Sequence, residues 1–344
     1  VRRVIHTAQA LVDAVVEVPH LPERGGNVMA RSYARYAGGA VTILLAAARC
    51  GARAVHAGSV GSGPNGDLIR ATLSADGVAV SSPPVPDLDT GVCVVMVEAS
   101  AERTFVTTMG AERRVSHESL STARPGRGDI VCVSGYSLIE PTVTGLLPWL
   151  ESLDGAEVVL DPGAIFTDLP KEVRSRALAV TTVWTGNAAE AEALAGAGDL
   201  ERAPVLVAGH LGPDAVVVVR DGDRGCAVRV AGEEQHVPGF PQTPVDTNGA
   251  GDTHTGVLCA RAAQTTVPSR VLADWVEAAR FANAAAAIKV TRRGPTTAPT
   301  AAEVEDFLAG VRDRAPRPAV GDPSHVPYAP LRLPSGARSR RPGM

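Results

Sequence analysis

The chain has 344 residues, of which 45% are hydrophobic, 20% charged and 3% aromatic, with a formal net charge of -4. That length can bury a large core as one big domain or two smaller ones, and the near-average composition excludes wholesale disorder. The charge balance argues against a protein built to coat nucleic acid, and no apolar run reaches the roughly eighteen residues that span a bilayer.

In chain order, the first segment, Val4 to Val18, is interrupted by His6, Asp13 and Glu17 and is a poor signal peptide. Asn27 to Tyr36 alternates modestly, Val41 to Cys50 reads as a helix, Val55 to Val60 as a strand and Gly66 to Ala75 as a helix. Gly91 to Thr107 reads as two strands joined by a polar turn around Ala99 to Arg103. Strands are then expected at Ile130 to Val133, Val158 to Leu160, Val180 to Trp184 and Ala215 to Val219. Helices are expected at Pro141 to Ser152, Ala188 to Ala195 and Thr253 to Ala263. Near-continuous apolar strands alternating with helices imply a mainly parallel sheet covered on both faces, a three-layer α/β fold. Asn27 to Tyr36 and Gly91 to Thr107 break the rhythm. They are expected as antiparallel strands outside the main sheet, forming a small β lid within about residues 27–37 and 91–108 over one end of the fold. From Ala315 prolines alternate with arginine, glycine and serine, so a domain over residues 1–312 and a disordered tail over 313–344 are expected. The five cysteines are scattered and never spaced as CxxC, so neither a disulfide framework nor structural zinc is expected, and the cytoplasm is the expected setting.

The most informative stretch is Val245-Asp246-Thr247-Asn248-Gly249-Ala250-Gly251-Asp252-Thr253, which opens a helix. Gly249, Ala250 and Gly251 would offer successive backbone N–H groups at a helix N-terminus, where the dipole favours an anion. Asp252 in the first turn could accept a proton from an incoming hydroxyl. On spacing alone the same residues also read as a glycine turn with Asp252 capping a helix. No GxxxxGK[ST] loop is present.

These residues resemble the second signature of the PfkB (ribokinase-like) carbohydrate kinases, a pattern close to DTxGAGD. Gly38-Gly39 entering the helix that ends at Arg49-Cys50-Gly51 resembles the first signature. Asn187-Ala188-Ala189-Glu190 is similar to the family's NxxE motif, and Gly222-Asp223-Arg224-Gly225 to its GxxG nucleotide turn. Phe281-Ala282-Asn283 leading into Thr291-Arg292-Arg293-Gly294 follows in family order, and the resemblance spans about Val4 to Ala309. It implies a three-layer α/β/α ribokinase-like (Rossmann-like) domain with a small β-sheet lid, transferring phosphate from ATP with Mg²⁺. By resemblance, Asp252 is the catalytic base and Gly249, Ala250 and Gly251 form the anion hole. Asn187 and Glu190 organise Mg²⁺ and the ATP phosphates, Arg220, Gly222, Gly225 and Asn283 belong to the nucleotide pocket, and Asp13, at the end of the first strand, holds substrate hydroxyls with Gly38 and Gly39. Asp246, with carbonyls near Asn248 and Gly294, matches a monovalent-cation (K⁺) site. The resemblance leaves room for a homodimer formed through the lid.

Four positions depart from the family pattern. Thr42 stands on the substrate side where asparagine is usual, Ser134-Gly135-Tyr136 lacks the glutamate of ribokinases proper, Arg220 replaces a common threonine, and His254 replaces phenylalanine. His254 reads as a packed helix histidine, and His56, His210 and His236 share no metal-ligand spacing. The first two departures weaken ribose as substrate. The expected activity is ATP-dependent phosphorylation of a hydroxymethyl group on a small sugar or sugar-like alcohol. A nucleoside kinase is the alternative enzyme, and a non-catalytic sugar- or nucleotide-binding regulator the alternative from another class. Neither nucleic acid nor membrane is an expected partner.

Overall fold

The computed structural model describes residues 2–100, 102–265 and 270–314. From the N-terminus the elements are β1 (Arg3–His6), β2 (Ala10–Glu17), β3 (Ser32–Gly39), α1 (Ala40–Arg49), β4 (Arg53–His56), α2 (Pro64–Ala75), β5 (Ala79–Val80), β6 (Val92–Val97) and β7 (Arg103–Thr107). There follow α3 (His117–Ser121), β8 (Ile130–Ser134), α4 (Thr142–Glu151), β9 (Glu157–Asp161), α5 (Lys171–Val180), β10 (Val183–Asn187), α6 (Ala188–Ala195) and α7 (Ala203–Ala208). The last are β11 (Val216–Arg220), β12 (Cys226–Val230), β13 (Glu233–Val237), α8 (Ala250–Gln264), α9 (Leu272–Val290) and α10 (Ala301–Arg314).

A nine-stranded sheet runs β13-β12-β11-β10-β9-β8-β1-β4-β5, parallel from β11 to β5 and closed by the antiparallel pairs β11–β12 and β12–β13. Successive side chains on each strand face opposite layers. Val216 and Val218 join the core shared with α8 and α9, whereas Val217 and Val219 join the core shared with α4 and α5. Burial on both faces is why these strands read as unbroken apolar runs. The chain leaves β1 for β4 on one side and returns to β8 on the other, so the topology switches between β1 and β8.

The lid is a separate four-stranded sheet, β3-β2-β6-β7, whose inner face packs with α1 and α2 around Val12, Leu44 and Leu73. Both segments expected in it are there, with three differences. The Val4 to Val18 run is two strands in two sheets, β1 and β2, because the chain crosses from one to the other at residues 7–9. Asp13 therefore lies mid-strand in the lid and not at the end of the first strand. The lid is also mixed and not purely antiparallel, since β2 and β6 pair in parallel. Elsewhere β4 stops at His56, Val180 closes α5 ahead of β10, and the β12–β13 hairpin extends the main sheet. α10 runs to Arg314, just past the boundary expected at 312, and the tail beyond it lies outside the described residues.

Leu146 of α4 is fully buried in the core between the sheet and the α3–α7 layer. Leu146→Ala should cost about 2–5 kcal/mol in urea unfolding while leaving turnover at saturating substrate unchanged. A loss of activity without a loss of stability would contradict this placement.

Candidate active site

The carboxyl ends of the parallel strands open into one pocket of about 800 Å³. His6, Ser134, Asp161, Asn187 and Arg220 each end a strand, and all five line it. This crevice is where open α/β sheets bind ligands, because only there do loops and helix starts converge outside the packed layers.

The N-terminus of α8 forms one wall. Gly249 caps it in the left-handed region, φ 78. A Cβ at that position would lie 2.9 Å from the Pro295 carbonyl oxygen and 3.1 Å from Thr42 Cγ2, so glycine is needed for space as well as conformation. The Ala250 N–H closes a turn onto the Thr247 carbonyl at 3.3 Å, and that of Thr253 donates to the Gly249 carbonyl at 2.9 Å. The N–H groups of Gly251 and Asp252 have no hydrogen-bond partner among the described residues, which leaves them to serve an anion. Ala250, Gly251 and Asp252 line the pocket, and Gly249 lies behind them.

The Asp252 carboxylate accepts no hydrogen bond among the described residues. Burial pushes its pKa up to about 7; Asp161 and Asp13 add to this, while Arg220 and Lys289 oppose it. Arg220 is the organising cation. One guanidinium nitrogen donates to the Gly251 carbonyl at 2.8 Å and to Thr255 Oγ1 at 3.3 Å; another donates to Asp161 Oδ2 at 3.2 Å and stands 3.9 Å from Glu190 Oε2. Thr255 Oγ1 also donates to Asp161 Oδ2, at 3.1 Å. Arg220 Nε is buried without a partner among the described residues.

Asn187 and Glu190 serve both the start of a helix and the pocket wall. They form a reciprocal capping box at the start of α6, with Asn187 N–H donating to Glu190 Oε2 at 2.7 Å and Glu190 N–H to Asn187 Oδ1 at 2.9 Å, and both line the pocket. Burial raises the Glu190 pKa, and Arg220 works against it. Gly222, Gly225 and Asn283 line the same pocket. The Asn283 amide is largely spent on the protein. It donates to the carbonyls of Val237 at 3.1 Å and Pro238 at 3.2 Å, and its Oδ1 lies 3.1 Å from His254 Nε2. Burial pulls His254 down to about 3, so it is a neutral packed imidazole.

On the lid side, Gly39 lines the pocket, and Asp13 and Gly38 stand beside it. The Asp13 carboxylate packs so closely on Gly38 that a Cβ at 38 would overlap it. Burial raises its pKa to about 6. Thr42 does not line the pocket: it is buried within α1, with its methyl group turned towards Gly249, because the first turn of α1 is packed under the α8 N-terminus. Asp246, Asn248 and Gly294 come together behind the anion loop and outside the pocket wall. Asp246 Oδ1 accepts the Asn248 N–H and Oδ2 the Gly294 N–H, both at 2.9 Å. Asp161 belongs to none of the sequence motifs. Its one signal is a carboxylate directly after the apolar run Val158 to Leu160.

The charge on Asp252 has a cost that can be measured. Folded, the carboxyl keeps its proton up to about pH 7, whereas its ordinary value is 3.8, so folding takes up a proton between the two and stability falls as pH rises through that window. Asp252→Asn should melt higher than the native chain at about pH 8, with the gap narrowing toward about pH 5. A gap that does not vary with pH would show that Asp252 ionises normally.

Residues 3–302 match the pfkB family carbohydrate kinase domain. The uncharacterized sugar kinase YegV of Escherichia coli is 30% identical over 299 residues, which is 86% of this chain and 90% of that protein. Ribokinase of Haemophilus influenzae is 27% identical over 307 residues, 86% of this chain and 95% of that one. The structure of ribokinase from Giardia lamblia superposes with a TM-score of 0.78 at 25% identity, covering 90% of this chain and 99% of that one. Arabidopsis thaliana ribokinase, complexed with ribose and ATP, gives 0.73 at 25% identity, covering 89% and 98%. Five motifs in order, a pocket at the strand ends and a family match over nearly the whole chain lead to one assignment: this chain belongs to the pfkB family of carbohydrate kinases.

Proposed function

We propose that this carbohydrate kinase transfers the γ-phosphoryl group of ATP to a hydroxymethyl group of a small sugar or sugar-like alcohol, with Asp252 as the base. One observation carries the reading. A carboxylate with no protein partner and two free backbone N–H groups share the first turn of α8, in the wall of one pocket lined by Gly39 towards the lid and by Asn187, Gly222 and Gly225 on the other side. The relatives named ribokinase, and the one complexed with ribose and ATP, support a sugar and ATP as the pair of substrates.

In this reading the sugar hydroxyl enters from the lid side, held by Asp13 beside Gly38 and Gly39. As its oxygen attacks the γ-phosphorus, the bond to the bridging oxygen of ADP breaks and the hydroxyl proton passes to Asp252. The N–H groups of Gly251 and Asp252 receive the phosphoryl oxygens as charge builds on them. Gly222, Gly225 and Asn283 shape the nucleotide end, and Asn187, Glu190 and Arg220 face the phosphates. Asp161 and Glu190 present hard oxygen donors to the pocket, and these fit a Mg²⁺ ion that keeps several of its waters. No cluster of three His, Cys, Asp or Glu side chains suited to a metal occurs among the described residues, so the nucleotide phosphates would supply much of the coordination. When bound, the ion neutralises phosphate charge. Tyr33 and Val106 are 63% and 56% exposed on one face of the lid sheet, which supports a homodimer formed through it.

Three outcomes test this. Asp252→Asn keeps the shape of the side chain but cannot take the proton, so kcat should fall roughly 10²–10⁴-fold while the ATP dissociation constant stays near its native value. Near-normal turnover in the folded variant would refute the mechanism. The native kcat/KM should rise with pH up to about 7 and then level off as Asp252 ionises, and this acid limb should be absent from the residual activity of the variant. Asp13→Ala should raise KM for the sugar far more than KM for ATP, and equal effects on both would make Asp13 structural.

A further inference from the structure

The cation site implied by resemblance at Asp246, Asn248 and Gly294 can be checked oxygen by oxygen. A potassium ion stripped of water needs a ring of free carbonyl or carboxylate oxygens. Here all but one of those oxygens already face N–H donors, hydroxyls or side-chain cations. Asp246 Oδ1 accepts the Asn248 N–H and a guanidinium nitrogen of Arg103 at 3.1 Å, and Oδ2 accepts the Gly294 N–H. The Gly294 carbonyl accepts the Thr297 hydroxyl at 2.9 Å, and the Val290 carbonyl accepts the N–H groups of Val245 and Asp246. The carbonyls of Asp246 and Arg292 take one donor, Lys289 Nζ, at 3.0 and 3.4 Å, which leaves the Asn248 carbonyl as the one oxygen of the set without a donor among the described residues, too few for a ring. The residues do not fit a bound monovalent ion.

Lys289 is the notable member. Its side chain is wholly buried near the C-terminus of α9, and it is one of only two lysines in a chain that otherwise uses arginine. A compact ammonium with three donors can sit between two carbonyls where the flat arginine fork cannot. Burial pulls the Lys289 pKa below its ordinary value; Asp246 and Asp252 work against this, and Arg103 adds to it. A third cation here would be repelled by two already at Asp246, Arg103 on its carboxylate and Lys289 on its backbone carbonyl.

We propose that Lys289 is a built-in replacement for the monovalent cation behind the anion loop, so that this kinase works without potassium. The ammonium ties the Asp246 carbonyl, three residues before Gly249, to the end of α9 and places a fixed positive charge behind the N–H groups of Gly251 and Asp252. Lys289 is thus a positioning residue that acts through the loop. The inference rests on reading residues 249–252 as the phosphoryl site, and it extends that reading to the loop's support.

The test replaces tetramethylammonium chloride with potassium chloride at constant ionic strength and follows both the initial rate and the melting temperature of the native protein. The expected result is no potassium-dependent change in either. A saturable activation of about tenfold or more, or a potassium-specific rise in melting temperature, would overturn the proposal. Melting requires no turnover, so it decides the question even if the assigned reaction is wrong. Lys289→Ala opens the space. In tetramethylammonium its kcat should fall roughly 10²-fold, with recovery in potassium or ammonium chloride and a potassium-dependent melting shift absent from the native chain. An undiminished rate in tetramethylammonium would overturn the role of Lys289. If the variant does not fold, the native salt series still distinguishes a potassium-dependent kinase from an independent one.

Discussion

A parallel sheet must bury both faces, and this constraint shapes everything else in the molecule. With helices on either side, the sheet can expose polar chemistry only at its ends. The strands that are apolar along their length therefore present a polar side chain to the pocket on the last residue: Ser134, Asp161, Asn187 and Arg220. The switch in strand order between β1 and β8 splays the connections there and leaves the crevice. Pocket, anion loop and lid all lie at that edge because the packed layers leave no other place for them.

Charge within the crevice is balanced by competition. Asp13, Asp161, Glu190 and Asp252 would repel one another if all were ionised in a dry pocket. Burial and this repulsion push Asp252 up, and Arg220 pulls it back towards the ionised form. Arg220 also bonds to the Gly251 carbonyl, so the residue that balances the carboxylates holds the first turn of α8 in place as well. The threonine common in the family could make neither interaction at that reach. Arg220 thereby reaches across β10 to Asp161 at the end of β9.

How much of the fold and the site is legible in the sequence depends on the range of the interaction. The run Val216 to Val219 announces a buried strand from its own composition, and Gly249-Ala250-Gly251-Asp252 announces a helix start that can bind an anion. Both are local. The break between β1 and β2 is invisible because residues 7–9 contain no glycine or proline to mark a crossing. Thr42 reads as a substrate contact because its neighbours Gly38 and Gly39 end the lid strand β3 beside the pocket; one turn into α1 the side chain has rotated under Gly249. Asp161 gains its meaning from Arg220, with |i−j|=59. Lys289 gains its meaning from Asp246, with |i−j|=43, and an alanine-rich helix gives no hint that one side chain reaches back across the loop.

The lid's attachment has a mechanical consequence. Its strands join the body at one end, where Ala10 pairs with Gly39 and the Gln9 carbonyl accepts the Ala40 N–H. At the opposite end lie Glu17 and Arg103, in the last ladder steps of β2 and β7. A sheet held in this way is a lever with its fulcrum at residues 9–10 and 39–40, so any swing is largest at the tip. The tip is where it is latched: Arg103 grips Asp246 at 3.1 Å, and Glu17 stands 3.8 Å from Arg293. A small angle at the fulcrum becomes a large displacement at two ion pairs, one of which pulls on the segment that ends in Gly249. Through Arg103 the far end of the lid is tied to Asp246, three residues before Gly249, so lid and loop share one ion pair.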